Sequence, residues 1–105
     1  MPPKPPLPRL TLFTGPHCSL CDVAKAELAQ VRQTHPFTIS LWDIRKPPAD
    51  ASDADAARWR RAYQYEIPVL HLDGVEVQKN RIDSAALRRV LEDWSKARRA
   101  EGGGE

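Results

Sequence analysis

The sequence predicts an α/β fold of three layers, β-α-β-α-β-β-α, with a four-stranded mixed sheet flanked by helices. Three observations point there. Strand-like and helix-like apolar periods alternate along the chain. A strand, a helix and a second strand follow closely between Leu10 and Ile44, which implies a right-handed parallel crossover. Asp73-Gly74 then joins two short apolar runs, a strong hairpin signal that adds an antiparallel edge.

Each element has its own warrant. LTLFT, with Leu10, Leu12 and Phe13, is β-prone and stops at Gly15-Pro16. Leu20, Ala24, Leu28 and Val31 recur at helical spacing, with Val23 on the same face. This helix should begin near Cys18 or Ser19 and stop before His35-Pro36. FTISLWDI, from Phe37 to Ile44, is the second strand, its apolar members being Phe37, Ile39, Leu41 and Ile44; Lys46-Pro47-Pro48 closes it. Ser52 or Asp53 can cap a helix through Tyr63, with Ala56, Trp59 and Tyr63 on one face. Pro68 to Leu72 is strand three and Val75 to Gln78 strand four. Asp83 or Ser84 caps the last helix, whose buried stripe is Leu87, Val90, Leu91 and Trp94.

A length of 105 residues allows one domain. Hydrophobic content of 41% with 29% charged residues describes a folded globular chain. No run approaches the ~18 apolar residues of a membrane span. A net charge of +2 argues against a dedicated nucleic-acid binder. The basic clusters Arg58, Arg60, Arg61 with Trp59, and Arg98 with Arg99, read as solvated helix faces. Residues 1–8, MPPKPPLP, are expected to form a Pro-rich disordered tail, residues 9–97 the folded domain and residues 98–105 a flexible tail. The N-terminal segment lacks the apolar stretch of a signal peptide, so a cytoplasmic location is expected, with a mitochondrial one left open.

Chemistry concentrates at one break in the pattern. Cys18-Ser19-Leu20-Cys21 is a CxxC where strand one meets helix one. The first N–H groups of a helix lack backbone partners and carry the positive end of its dipole. A thiolate at Cys18 would be stabilised there; ~1–2 kcal/mol lowers its pKa by roughly one unit from ~8.5. The outer sulfur can attack a disulfide while Cys21, one turn inside, closes an intramolecular disulfide and releases the product. Three readings compete. A zinc site wants four ligands, whereas His17, His35 and His71 are scattered around a single pair. A structural disulfide and two inert buried thiols are the others. The strand–CxxC–helix context favours redox chemistry. His17, directly before Cys18, could favour the thiolate or pass a proton, or simply be an exposed loop residue. His71 reads as a hydrogen-bonded core histidine, and Trp42, Trp59 and Trp94 as packing residues.

Ile67-Pro68 opens strand three. That end of the strand lies beside the CxxC only if strand three runs antiparallel to strand one. Residue preferences alone do not make the Ile67-Pro68 bond cis.

LTLFTGPHCSLCDVAKAEL, together with the later IPVLHLDG, resembles a glutaredoxin of the thioredoxin-like superfamily. More narrowly, WRRAYQYEIPVLHLDG resembles a small glutaredoxin-like family with a C-x-L-C centre; the likeness spans Leu10 to Trp94. It implies a thioredoxin-like fold, Cys18 as attacking thiol, Cys21 as resolving thiol, a cis Pro68, and an Ile67 backbone that pairs with a bound thiol peptide. Departures stand beside it. The glycine pair that follows strand four in glutaredoxins is replaced by Val77-Gln78-Lys79-Asn80-Arg81-Ile82-Asp83. Leu20 stands where an aromatic is usual, and Gly15-Pro16-His17 where a basic residue often precedes the motif. Lys79 and Arg81 are candidates to hold carboxylates, or are solvated loop charges.

The expected function is that of a dithiol thiol–disulfide oxidoreductase without a bound cofactor or metal. Glutathione is a candidate co-substrate. The expected partners are a disulfide-containing protein or a glutathione mixed disulfide, with no nucleic acid, no membrane and a monomeric state. An alternative from another class is a non-enzymatic iron–sulfur protein in which two chains bridge a cluster through Cys18. A weaker one is an adaptor working through the Pro-rich tail.

Overall fold

The structure, a computed structural model, describes the backbone of residues 7–102 and the side chains of residues 7–98. Its elements are β1 (Arg9–Thr14), α1 (Ser19–Arg32), β2 (Thr38–Asp43), α2 (Asp53–Tyr63), β3 (Val69–Leu72), β4 (Val75–Lys79) and α3 (Ser84–Gly102). The sheet order is β2-β1-β3-β4. β1 and β2 are parallel, while β3 is antiparallel to both β1 and β4. The expected α/β architecture is therefore present.

Alternation along β1 builds two cores. Leu10 and Leu12 face α1 and α3 with Ala24, Leu28, Val31, Phe37, Leu70, Leu87 and Leu91. Phe13 faces the other way and meets Ile44, Tyr63 and Val69, with Trp42 and Trp59 at their edge. Both faces of the central strand are thus covered, which accounts for its nearly continuous apolar run.

Local signals set the element ends. Ser52 Oγ accepts the Asp55 N–H at 3.0 Å and caps α2. Asp83 Oδ1 accepts the N–H groups of Ala85 and Ala86, so Asp83 caps α3. Asp73 and Gly74 both have positive φ, 50° and 85°, the geometry of a type I′ hairpin turn. Asp73 also accepts from Arg9 N at 3.1 Å and from Trp94 Nε1 at 2.7 Å, which ties the turn to β1 and α3.

Several expectations change. α3 runs to Gly102, beyond the expected domain end at Ala97, because SKARRAE is built of good helix formers. Pro8 is already buried and its carbonyl accepts from Thr38 N, so the order starts before Arg9. Residues 1–6 of the Pro-rich segment lie outside the described residues. Val23 and Leu20 are exposed rather than buried: the stripe of α1 is Cys21, Ala24, Leu28 and Val31. Leu41 is exposed as well, since β2 is an edge strand with little above it. β4 carries a register shift opposite Leu70 and His71, which no residue in VEVQK signals.

A hydrogen-bonded trio of buried Tyr63 and His71 with exposed Glu76 stabilises the α2 face. Tyr63 Oη donates to Glu76 Oε1 at 3.1 Å and accepts from His71 Nε2 at 2.8 Å. His71 therefore carries a proton on Nε2. Burial lowers its pKa from 6.5, against the opposing pull of Glu76. Burial, then the bond to Glu76, raises that of Tyr63 to about 12. Phe13 packs over the trio, with ring centroids 4.6 Å from His71 and 5.1 Å from Tyr63. The fold favours the neutral form of both rings. The unfolded chain takes up the His71 proton first as pH falls below 6.5, and loses the Tyr63 proton first above 10.0. The stability contributed by His71 should thus be complete above pH 6.5 and decline below it. That of Tyr63 should be complete below pH 10.0 and decline toward about 12. Denaturant titrations across pH check both limbs, and Tyr63→Phe should remove the alkaline one.

Candidate functional site

β1 delivers the chain to the site. After Thr14 the backbone turns through Gly15-Pro16-His17, with His17 at φ 55°, and enters α1 at Cys18. Cys18 is the N-cap, in extended conformation. Its Sγ accepts the Cys21 N–H at 3.0 Å, the bond that a serine or aspartate oxygen usually makes at this position. Cys18 and Cys21 are joined by a disulfide with Cα atoms 5.2 Å apart. The two sulfurs differ in access. Cys18 is half-buried at the helix mouth, whereas Cys21 is 1% exposed and belongs to the buried stripe of α1.

Because β3 is antiparallel to β1, its first residue comes to the same end of the sheet. Ile67–Pro68 is a cis peptide bond. Pro68 is fully buried, and its carbonyl accepts from Asn80 N at 2.7 Å. Ile67 packs on the approach to the motif: a Cβ added at Gly15 would stand 2.8 Å from Ile67 Cδ1. Any larger residue at 15 must therefore push this side chain away. The sequence signal, Gly-Pro, reads as a chain break and does not disclose this second role. The Ile67 N–H is given to Tyr63 O at 3.2 Å.

The other predicted site residues are more dispersed. His17 is exposed and makes no hydrogen bond to either cysteine among the described residues. Lys79 ends β4 opposite Val69, and Arg81 follows in the loop; both are exposed and form no ion pair among the described residues. The loop that holds them is closed by Gln78, whose amide bonds both N–H and C=O of Asp83 at 3.2 Å. Asn80 turns its amide nitrogen to Glu66, 3.2 Å from Oε2 and 3.1 Å from the carbonyl. Asp83 itself is occupied as the α3 cap. A cleft of about 660 Å³ lies at the opposite end of β1, between Pro8, His35, Pro36 and Trp94. The arginine–aromatic clusters are internal contacts: Arg58 lies 4.5 Å over Trp59 and Arg98 5.3 Å over Trp94.

Residues 9–92 match the Glutaredoxin-like domain (DUF836). The chain belongs to the glutaredoxin-like domain family. A structural-genomics protein from X. campestris is 30% identical, with a TM-score of 0.58 over 80% of this chain and 96% of that one. Protein Ne2328 from Nitrosomonas europaea superposes with a TM-score of 0.66 at 19% identity, over 87% of this chain and 99% of that one. Thioredoxin O2 from Arabidopsis thaliana, in its oxidized state, superposes at 0.54 and 22% identity, over 83% of this chain and 74% of that one. The likeness to thioredoxin O2 establishes the thioredoxin fold.

This glutaredoxin-like chain couples Gly15 to Ile67 by contact, so their substitutions should not add. Gly15→Ala alone should cost about 1–3 kcal/mol through overpacking. Combined with Ile67→Val, which removes Cδ1, it should cost less than the sum of the two single changes. Urea unfolding of the four proteins measures the difference.

Proposed function

We propose that the protein is a dithiol thiol–disulfide oxidoreductase, with Cys18 the nucleophile and Cys21 the resolving thiol. One observation carries the reading: the disulfide joins an accessible sulfur at the start of a helix to a sulfur sealed in the core. In the reduced protein, the Cys21 N–H and the helix terminus favour a negative charge on Cys18 Sγ. The Cys18 thiolate attacks one sulfur of a substrate disulfide, and the other substrate sulfur leaves as a thiolate. Cys21 then loses its proton and attacks Cys18 Sγ. The second substrate thiol is released, and the Cys18–Cys21 disulfide closes. Two electrons pass to the substrate with two protons. A dithiol, or two molecules of a thiol such as glutathione, returns the pair to the reduced state.

The substrate class is a disulfide-containing protein or a glutathione mixed disulfide. Lys79 and Arg81, at the same end of the sheet as Pro68, are the candidates to meet carboxylates on either. His17 remains the candidate to tune Cys18, from the neighbouring position in the chain.

Cys18→Ser should lower disulfide reduction by at least about a thousandfold. Cys21→Ser should still form a mixed disulfide with substrate in a single turnover but fail to release it, which mass spectrometry detects. In Cys21→Ser, thiolate absorbance should place Cys18 below the ~8.5 of free cysteine. A value at or above that, or equal trapping by Cys21 in Cys18→Ser, would overturn the assignment of roles. Anaerobic reconstitution with iron and sulfide tests the cluster alternative by its visible spectrum.

A further inference from the structure

The two edges of the sheet are guarded very differently. β4 carries a register shift and the charged residues Glu76 and Lys79, devices that discourage strand addition. β2, TISLWD, has neither bulge, lysine nor proline; its one charge, Asp43, is its last residue, with Oδ1 accepting the N–H groups of Arg45 and Lys46, and its Leu41 is 53% exposed. The direction of its backbone groups follows from its ends. Thr38 N donates to Pro8 O, and Ile44 N donates to Thr14 O, both toward β1. Residues 38, 40, 42 and 44 therefore point inward, and the N–H and C=O groups of Ile39 and Leu41 point to the open side.

The side chains of the same two residues face α1. With Phe37, Leu28 and Ala29 they line a groove of about 270 Å³ whose rim carries Lys25 and Arg32. Neither cation has an ion-pair partner among the described residues, and Arg32 lies 5.7 Å over the Phe37 ring. Open backbone groups, an apolar trough beneath them and two cations above it form one continuous surface.

We propose that the β2 edge is a docking site for an extended segment of a partner protein in which apolar and acidic side chains share one face. The segment adds a fifth strand by bonding to Ile39 and Leu41. One apolar side chain drops into the groove, and an acidic residue two places to either side meets Lys25 or Arg32. Spacing fits: seven residues of α1 rise roughly 10 Å, and four residues of strand span roughly 13 Å, a difference that long side chains absorb. Charge also selects among occupants. A second copy paired through its own β2 would bring Lys25 and Arg32 of both chains together, whereas an acidic segment neutralises them. The site lies along the side of the sheet and is independent of the redox reading.

The probe is an acetylated, amidated heptapeptide, Thr-Glu-Thr-Leu-Thr-Glu-Thr, with a second peptide carrying Lys for Glu. Amide hydrogen exchange and chemical shifts of the protein are the readouts. At about ten times its dissociation constant, the acidic peptide should slow exchange at Ile39 and Leu41 roughly tenfold. The lysine peptide should not. Leu41→Glu should abolish the effect, and Lys25→Glu with Arg32→Glu should reverse the preference. Should that double variant unfold, Lys25→Glu alone should weaken the acidic peptide severalfold. Binding indifferent to charge, protection centred elsewhere, or no binding would overturn the proposal. So would protection of Ile39 and Leu41 that rises with protein concentration alone, since a second copy would then be the occupant.

Discussion

The Cys21 N–H that reaches Cys18 Sγ at 3.0 Å ties the chemistry of this protein to its fold. It makes the nucleophilic sulfur the cap of α1, so the same bond both starts the helix and favours charge on the sulfur. Cys21 is held there because it is a core residue as much as a thiol, first in the stripe that continues through Ala24, Leu28 and Val31. Helical spacing then sets the two sulfurs on one side of the first turn, where a disulfide closes. Their unequal access, and hence their unequal roles, follows from which face of α1 is buried.

What holds α1 in place is strand β1, which is covered on both faces. Leu10 and Leu12 anchor the α1 and α3 layer, and Phe13 anchors α2 through Trp59, Tyr63 and His71. The strand ends just before Gly15, where Ile67 fills the space a side chain would take. The approach to Cys18 and the entry to β3 are consequently packed against each other. The loop after β4 completes this end, with Asn80 bonded to Pro68 and turned toward Glu66.

These contacts separate the molecule into regions with different tasks. The redox pair occupies the end of the sheet where β1 finishes and β3 begins. The trio of buried Tyr63 and His71 with exposed Glu76 lies on the α2 face, hydrogen-bonded through the Tyr63 hydroxyl. The unguarded β2 edge faces α1 along the side of the sheet. Lys79 and Arg81 stay solvated, on a loop closed by Gln78.

The order of elements, the CxxC at a strand–helix junction, the Asp73-Gly74 turn and the caps at Ser52 and Asp83 were legible in the sequence, because each rests on local backbone and side-chain preferences. Burial was legible only in part. Leu20, Val23 and Leu41 fit an apolar period, yet they are exposed, since the period says which residues share a face and not whether anything covers it. Strand order, the β4 bulge and the contact of Ile67 with Gly15 come from residues far apart in the chain. Only the packed sheet decides them, because the interactions that select them exist only once those segments meet.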